Sequence, residues 1–231
     1  MNRQRRVQEF FLLAILSQGW LLQSARCDDI LFQDDFVGKL SDRWKVIGLK
    51  PEDYRIRNGG LEMRVQPGPW KKEMPRLDVI LPFTDDESIR VSATVTLLDK
   101  FTAEGEQAGV HFFDDQGSIF QGTKERRGER LVYSPGAVEF IGEDGEEGDA
   151  TKFKTILIDE SPDAGPLKIL VDKSYAYFQV GPSKNDTYQN HMYSAIRTRP
   201  TGRGFGLIAF GAPAGANHWV RFEKFQVIRR R

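Results

Sequence analysis

Ile89-Arg90-Val91-Ser92-Ala93-Thr94-Val95-Thr96-Leu97 alternates apolar and polar side chains along its whole length without a fault. Successive side chains of an extended chain point to opposite faces, so one side of this segment rests on a core and the other faces water. The pattern predicts a long β-strand. Shorter runs of the same kind occupy Ile30 to Phe36, Leu61 to Val65, Leu77 to Phe83, Ala108 to Phe113, Phe153 to Ile158, Leu167 to Val171, Tyr175 to Val180, Phe205 to Phe210 and Trp219 to Ile228. Turn chemistry separates them, as at Asn58-Gly59-Gly60, Pro135-Gly136 and Asp172-Lys173-Ser174. Past residue 27 no stretch carries a helical period. Many short strands with turns between them predict an all-β fold, a two-sheet antiparallel sandwich or jelly roll. In the last run Phe222 and Phe225 are three apart, which breaks the alternation and predicts a β-bulge near Glu223 or Lys224. Trp44 and Trp219 lie within strand-like runs and are expected to anchor the core.

Upstream of these strands, Met1 to Arg6 is basic, Phe10 to Leu22 is largely apolar, and Ala25-Arg26-Cys27 precedes acidic Asp28-Asp29. That order is the pattern of a secretory leader over residues 1–27, which leaves 28–231 as one domain in a secreted or periplasmic product. The apolar stretch is interrupted by Ser17, Gln18 and Gly19 and falls short of the about 20 apolar residues a membrane span needs, so no permanent anchor is expected. A lipid on Cys27 is the alternative. Cys27 is the sole cysteine, so the domain must be stable without disulfides, and about 200 residues suffice for a single large core. The whole chain has 33 basic and 33 acidic residues, of which Arg3, Arg5, Arg6, Arg26 and Glu9 fall in the leader; the remainder carries a net charge of −3. So mild an acidity offers no attraction for nucleic acid, and the Arg229-Arg230-Arg231 tail is too small to reverse it.

Asp34-Asp35-Phe36, Trp44-Lys45-Val46, Asn58-Gly59-Gly60-Leu61-Glu62-Met63, Gln107-Ala108-Gly109-Val110-His111-Phe112-Phe113-Asp114-Asp115 and Phe222-Glu223-Lys224-Phe225-Gln226-Val227 follow one another in this order. Together they resemble the landmarks of concanavalin A-like lectin/glucanase sandwiches, nearest to the DUF1349 or LamG-like kind, over roughly residues 30–228. The resemblance implies a sandwich that binds or cuts polysaccharide. Members commonly carry an acidic pair before the final aromatic, where this chain has Glu223-Lys224. A structural calcium would draw on Asp34, Asp35 and Glu223 if the first and last strands pair, since calcium takes six to eight oxygen ligands. Solvated edge charges are the alternative reading of the same residues.

Enzymatic relatives of the laminarinase type place three carboxylates as Glu-x-Asp-x-x-Glu on one strand. Here the nearest match, Glu147-Gly148-Asp149, lies in an acidic loop and has Lys152 in place of the second Glu, so no catalytic residue is assigned. Carboxylates on separate strands could still meet the spacing that glycoside hydrolysis needs. There is no Gly-x-Ser-x-Gly elbow, and His111, His191 and His218 show no zinc spacing. Gly202-Arg203-Gly204-Phe205-Gly206 leads into an apolar strand, whereas a phosphate loop opens a helix.

A binding surface remains. On the strand from Gln107, the pleat puts Ala108, Val110 and Phe112 on the core side and Gln107, Gly109, His111 and Phe113 on the other, an amide, an imidazole and a ring of the kind that grips sugar hydroxyls and a sugar face. Arg90 extends this set if its strand shares the face, and Trp70, in a loop between Pro69 and Lys71-Lys72, is a candidate stacking platform. The expected function is recognition of carbohydrate, a polysaccharide or glycan. One alternative is a glycoside hydrolase with two acidic side chains converging beside His111; another is a cell-envelope protein-interaction module presenting a flat apolar patch. Asn185-Asp186-Thr187 fits the glycosylation pattern.

Overall fold

A computed structural model describes residues 28–69, 74–114, 117–140, 151–173, 175–180, 189–195 and 202–230, with the backbone alone at 117–118, 138–140, 151–154, 159, 180 and 189–195. The leader, Trp70, the Glu143–Asp149 loop and Asn185 lie outside the described residues.

Two sheets carry the fold. The first has eight strands: β1 (Asp29–Asp34), β3 (Tyr54–Arg57), β4 (Gly60–Arg64), β7 (Ser88–Leu97), β13 (Ala164–Asp172), β14 (Tyr175–Val180), β15 (Gln189–Ala195) and β17 (Trp219–Arg230). They run in the order β15-β14-β13-β7-β17-β4-β3, with β1 on β17. The second has nine: β2 (Lys45–Ile47), β5 (Gln66–Pro67), β6 (Arg76–Ile80), β8 (Gln107–Asp114), β9 (Gly117–Arg127), β10 (Arg130–Phe140), β11 (Thr151–Thr155), β12 (Ile158–Glu160) and β16 (Gly204–Ala212). Their order is β11-β10-β9-β8-β16-β6-β2, with β12 on β10 and β5 on β16. All pairings are antiparallel except the short one between β5 and β16. Among the described residues the only helical turn is the 3-10 turn Pro51–Asp53.

The chain is therefore an all-β, two-sheet antiparallel β-sandwich. Strand β7 bears out the alternation: Ile89, Val91, Ala93 and Val95 are buried at 1% exposure or less, while Arg90, Ser92, Thr94 and Thr96 are half-buried on the other side. The apolar rows of both sheets, including Leu61, Met63, Val110, Phe112, Phe178, Phe205 and Leu207, merge into one core. Asn58 and Gly59 both take positive φ, 54° and 73°, as a two-residue hairpin loop between β3 and β4 requires.

The bulge falls where the aromatic spacing puts it. Register shifts between Glu223 and Gln226, and Lys224 sits at φ 54°. The inserted residue lets Phe222 and Phe225, three apart, both reach the core at 0% exposure. It also marks a change of neighbour: Trp219–Phe222 pair with β4, and the stretch from Phe225 onward pairs with β1. Trp44 packs among Phe32, Phe36 and Phe225, with ring centroids at 5.3, 6.2 and 4.8 Å. Trp219 is buried as expected, at 9% exposure, but on the outer side of its sheet rather than in the main core cluster. Val220 and Phe222 take the inward positions, so Trp219 faces outward beneath the Arg55 guanidinium, 4.0 Å from its ring centre.

The inner row of β9 turns a cation into the core. Lys124 of β9 is fully buried, and its Nζ donates to the Pro162 carbonyl at 2.7 Å. Burial lowers its pKa to about 8 against the attraction of Asp163. The unfolded chain keeps this proton up to about pH 10.5, so between 8 and 10.5 it binds more protons than the folded protein and stability rises with pH. Denaturant unfolding across that range is expected to show this rise in the wild type and not in Lys124→Met; parallel profiles would contradict the assignment.

Candidate functional site

The outer face of the nine-stranded sheet is built in rows. Because β9, β8, β16 and β6 are antiparallel neighbours in fixed register, Gln121, His111, Gly206 and Asp78 stand side by side, followed one pleat along by Thr123, Gly109, Ile208 and Arg76. The next row reads Glu125, Gln107, Phe210 and Gln66. As the pleat of β8 predicts, Gln107, His111 and Phe113 lie on the face opposite Val110 and Phe112.

That face is not open at these positions. His111 is 0% exposed, Phe113 5% and Gln107 8%. His111 Nε2 lies 2.8 Å from Asp78 Oδ1, and Arg76 Nε donates to Asp78 Oδ2 at 2.8 Å. Burial by itself pushes the Asp78 carboxyl up, but His111 and Arg76 outweigh it and hold it below its ordinary value of 3.8. The ionised carboxylate accepts only, so Nε2 carries the proton. Phe113 stacks on the imidazole at 5.3 Å and 28°. The glycines noted in the sequence make this arrangement possible. A Cβ on Gly206 would come within 2.4 Å of His111 Nε2 and 2.6 Å of Asp78 Oδ1. His111 is thus held by a charge network with Asp78 rather than presented to solvent.

Of these three, Gln107 borders a cavity. Its Oε1 accepts from Gln121 Nε2 and Thr123 Oγ1, both at 2.9 Å, and its Nε2 donates to the Gly105 carbonyl at 3.3 Å. These bonds fix the amide at the wall of a cavity of about 380 Å3, lined by Gly68, Pro69, Glu104, Gly105, Gln107, Phe210 and Gly211. Glycines at 68, 105 and 211 take φ of 90°, 79° and 91°, and a Cβ on Gly211 would strike the Gly105 carbonyl oxygen at 2.3 Å. The walls are shaped by backbone in a left-handed conformation that side chains other than glycine rarely adopt. Nearby, Gln121 Oε1 is buried without a hydrogen-bond partner, while the buried Ser134 hydroxyl interacts with the Glu125 carboxyl. Burial pushes the Glu125 carboxyl above its ordinary 4.5, partly offset by the nearby Ser134 hydroxyl and by Arg127. A larger opening of about 490 Å3, with Lys100, Phe101, Arg126 and Ser161 in its walls, contains none of the residues singled out from the sequence.

Arg90 needs correction. Strand β7 belongs to the eight-stranded sheet, so Arg90 stands on the far outer face of the sandwich, where it meets Asp28 at 3.6 Å, and it cannot extend the Gln107 row. The calcium set is corrected as well. Strands β1 and β17 do pair, yet Asp34 Oδ1 accepts from Phe36 N at 2.8 Å and Oδ2 from Trp44 Nε1 at 2.8 Å and Ser41 N at 3.2 Å. Its oxygens organise a turn. Asp35 accepts from Gln33 at 2.9 Å, and Glu223 stands opposite Thr94. Among the described residues no three His, Cys, Asp or Glu side chains gather in a way that could hold a metal.

No protein-family model matches the chain, and no curated protein matches its sequence. Solved structures match its fold. A functionally unknown protein from Saccharomyces cerevisiae is 13% identical at a TM-score of 0.58, over 80% of this chain and 95% of that one. The GH43 protein BlXynB of Bacillus licheniformis, in its K247S mutant, is 16% identical at 0.64, over 85% of this chain and 39% of that one. The CBM2 module of the evolved Dit of Lactobacillus casei BL23 phage J-1 is 8% identical at 0.55, over 87% and 95%. The chain spans about two fifths of the glycoside hydrolase and nearly all of the other two. The structural neighbours thus include glycoside hydrolase and carbohydrate-binding module proteins, and at these identities the likeness is one of fold.

Proposed function

We propose that the protein recognises carbohydrate outside the cytoplasm, as a concanavalin A-like sandwich that binds a sugar residue in the Gln107–Phe210 cavity. The observation that carries this reading is the cavity itself: an amide pinned by three hydrogen bonds, a phenyl ring in the adjacent strand and glycine walls. With Oε1 already accepting twice, the amide keeps its second Nε2 hydrogen for a sugar hydroxyl, and Phe210, 2% exposed, lines the apolar side of the cavity. The unpartnered Gln121 Oε1 suits an ordered water that bridges to a further hydroxyl. The leader pattern supports export, and the carbohydrate-related neighbours are compatible with the ligand class.

The test is a glycan array on the residue 28–231 protein, followed by calorimetry on the best binders. Gln107→Leu and Phe210→Leu are each expected to weaken binding at least about tenfold, since each removes a specific contact at the cavity wall. Thermal unfolding of both variants confirms that they remain folded. Silence on all glycans, or unchanged affinity in both folded variants, would sink the proposal, and product release would favour the enzymatic alternative.

A further inference from the structure

The cavity at Gln107 carries a charge. Glu104 is the one ionisable residue among its described lining residues, and its side chain is 60% exposed. The Gly128 amide donates to Glu104 Oε2 at 2.7 Å and holds the carboxyl below its ordinary 4.5, so it is ionised at neutral pH. Arg127 meets Glu104 Oε1 at 3.3 Å through Nη1 and Glu125 Oε1 at 2.8 Å through Nη2. One guanidinium therefore serves two carboxyl groups. Arg126, the other cation near Glu104, is engaged with the Phe101 carbonyl at 3.0 Å. Behind the wall, Glu125 is 1% exposed and its Oε1 lies 3.8 Å from the point where a Cβ on Gly105 would stand. The cavity so offers acceptors and a negative rim, with no free cation among its described lining residues.

We propose that Glu104, backed by Glu125, sets the specificity of this site, admitting uncharged or amine-bearing sugars and turning away uronates. This rests on the reading of the cavity as a sugar site. A carboxylate brought beside Glu104 meets a like charge, whereas a hydroxyl or ammonium donor meets a ready acceptor.

The test measures cellohexaose, a chitosan hexamer and an oligogalacturonate hexamer by calorimetry at pH 7 and low salt, on the wild type and on Glu104→Gln, an exposed substitution. The wild type is expected to bind a neutral or amine-bearing probe roughly tenfold or more tighter than the uronate, and Glu104→Gln to narrow that gap by about tenfold, the effect of one nearby charge in a half-wet site. A uronate preference in the wild type, or a gap that survives Glu104→Gln while Gln107→Leu still weakens binding, overturns this inference alone. Absence of binding by all three probes overturns it together with the carbohydrate reading.

Discussion

Gly206→Ala is expected to lose about 3 kcal/mol or more of folding stability, far beyond the propensity change of an ordinary strand substitution. The added methyl would stand 2.2 Å from the Leu77 carbonyl oxygen, 2.4 Å from His111 Nε2 and 2.6 Å from Asp78 Oδ1. Leu77 O is backbone in the adjacent strand, so the sheet must open, or the His111–Asp78 contact must break, to make room. Either route strands buried polar atoms. Urea unfolding of the two proteins measures the loss directly. A change under about 1 kcal/mol would mean that the His111 row is far looser than its distances indicate.

Asp78→Ala is the second large effect, with an expected loss of about 3–5 kcal/mol, the cost of leaving buried charge partners without their counter-charge. Asp78 is 2% exposed and serves both His111 and Arg76. Its carboxyl titrates below the unfolded value of 3.8, so its contribution is complete above that pH and is lost as pH falls through the lowered folded value. Acid unfolding is expected to show a component that disappears in Asp78→Asn. A wild type and Asp78→Asn with parallel stability from pH 5 to pH 2 would contradict the network.

Strand β7 was legible in the sequence because its two faces meet different surroundings, and β8, β13, β14 and β16 were legible from short apolar runs. The hairpin of β9 and β10 was not. Its outer side chains Gln121, Thr123 and Glu125 are as buried as its inner ones, and its inner row includes Lys124. With both faces covered and a cation turned inward, polarity no longer reports direction. The pleat of β8 correctly separated Gln107, His111 and Phe113 from the core row, but pleating says nothing about cover, and His111 is shut in with Asp78. Membership of a sheet is likewise a long-range fact. Nothing local to Arg90 shows that β7 pairs with β13 and β17 rather than with β8. The cavity at Gln107 depends on Gly68, Gly105 and Gly211, three residues far apart in the chain. Each resembles an ordinary turn glycine on its own, and only the register of β5, β8 and β16 brings them together.

Amide chemical shifts of the 28–231 protein, followed during titration with the oligosaccharide that binds best, test the location of the site most directly. The predicted result is a cluster of perturbations at Gly105, Gln107, Phe210 and Gly211, absent in Gln107→Leu. Perturbations centred on Arg90 and Tyr177, on the opposite sheet, would contradict it.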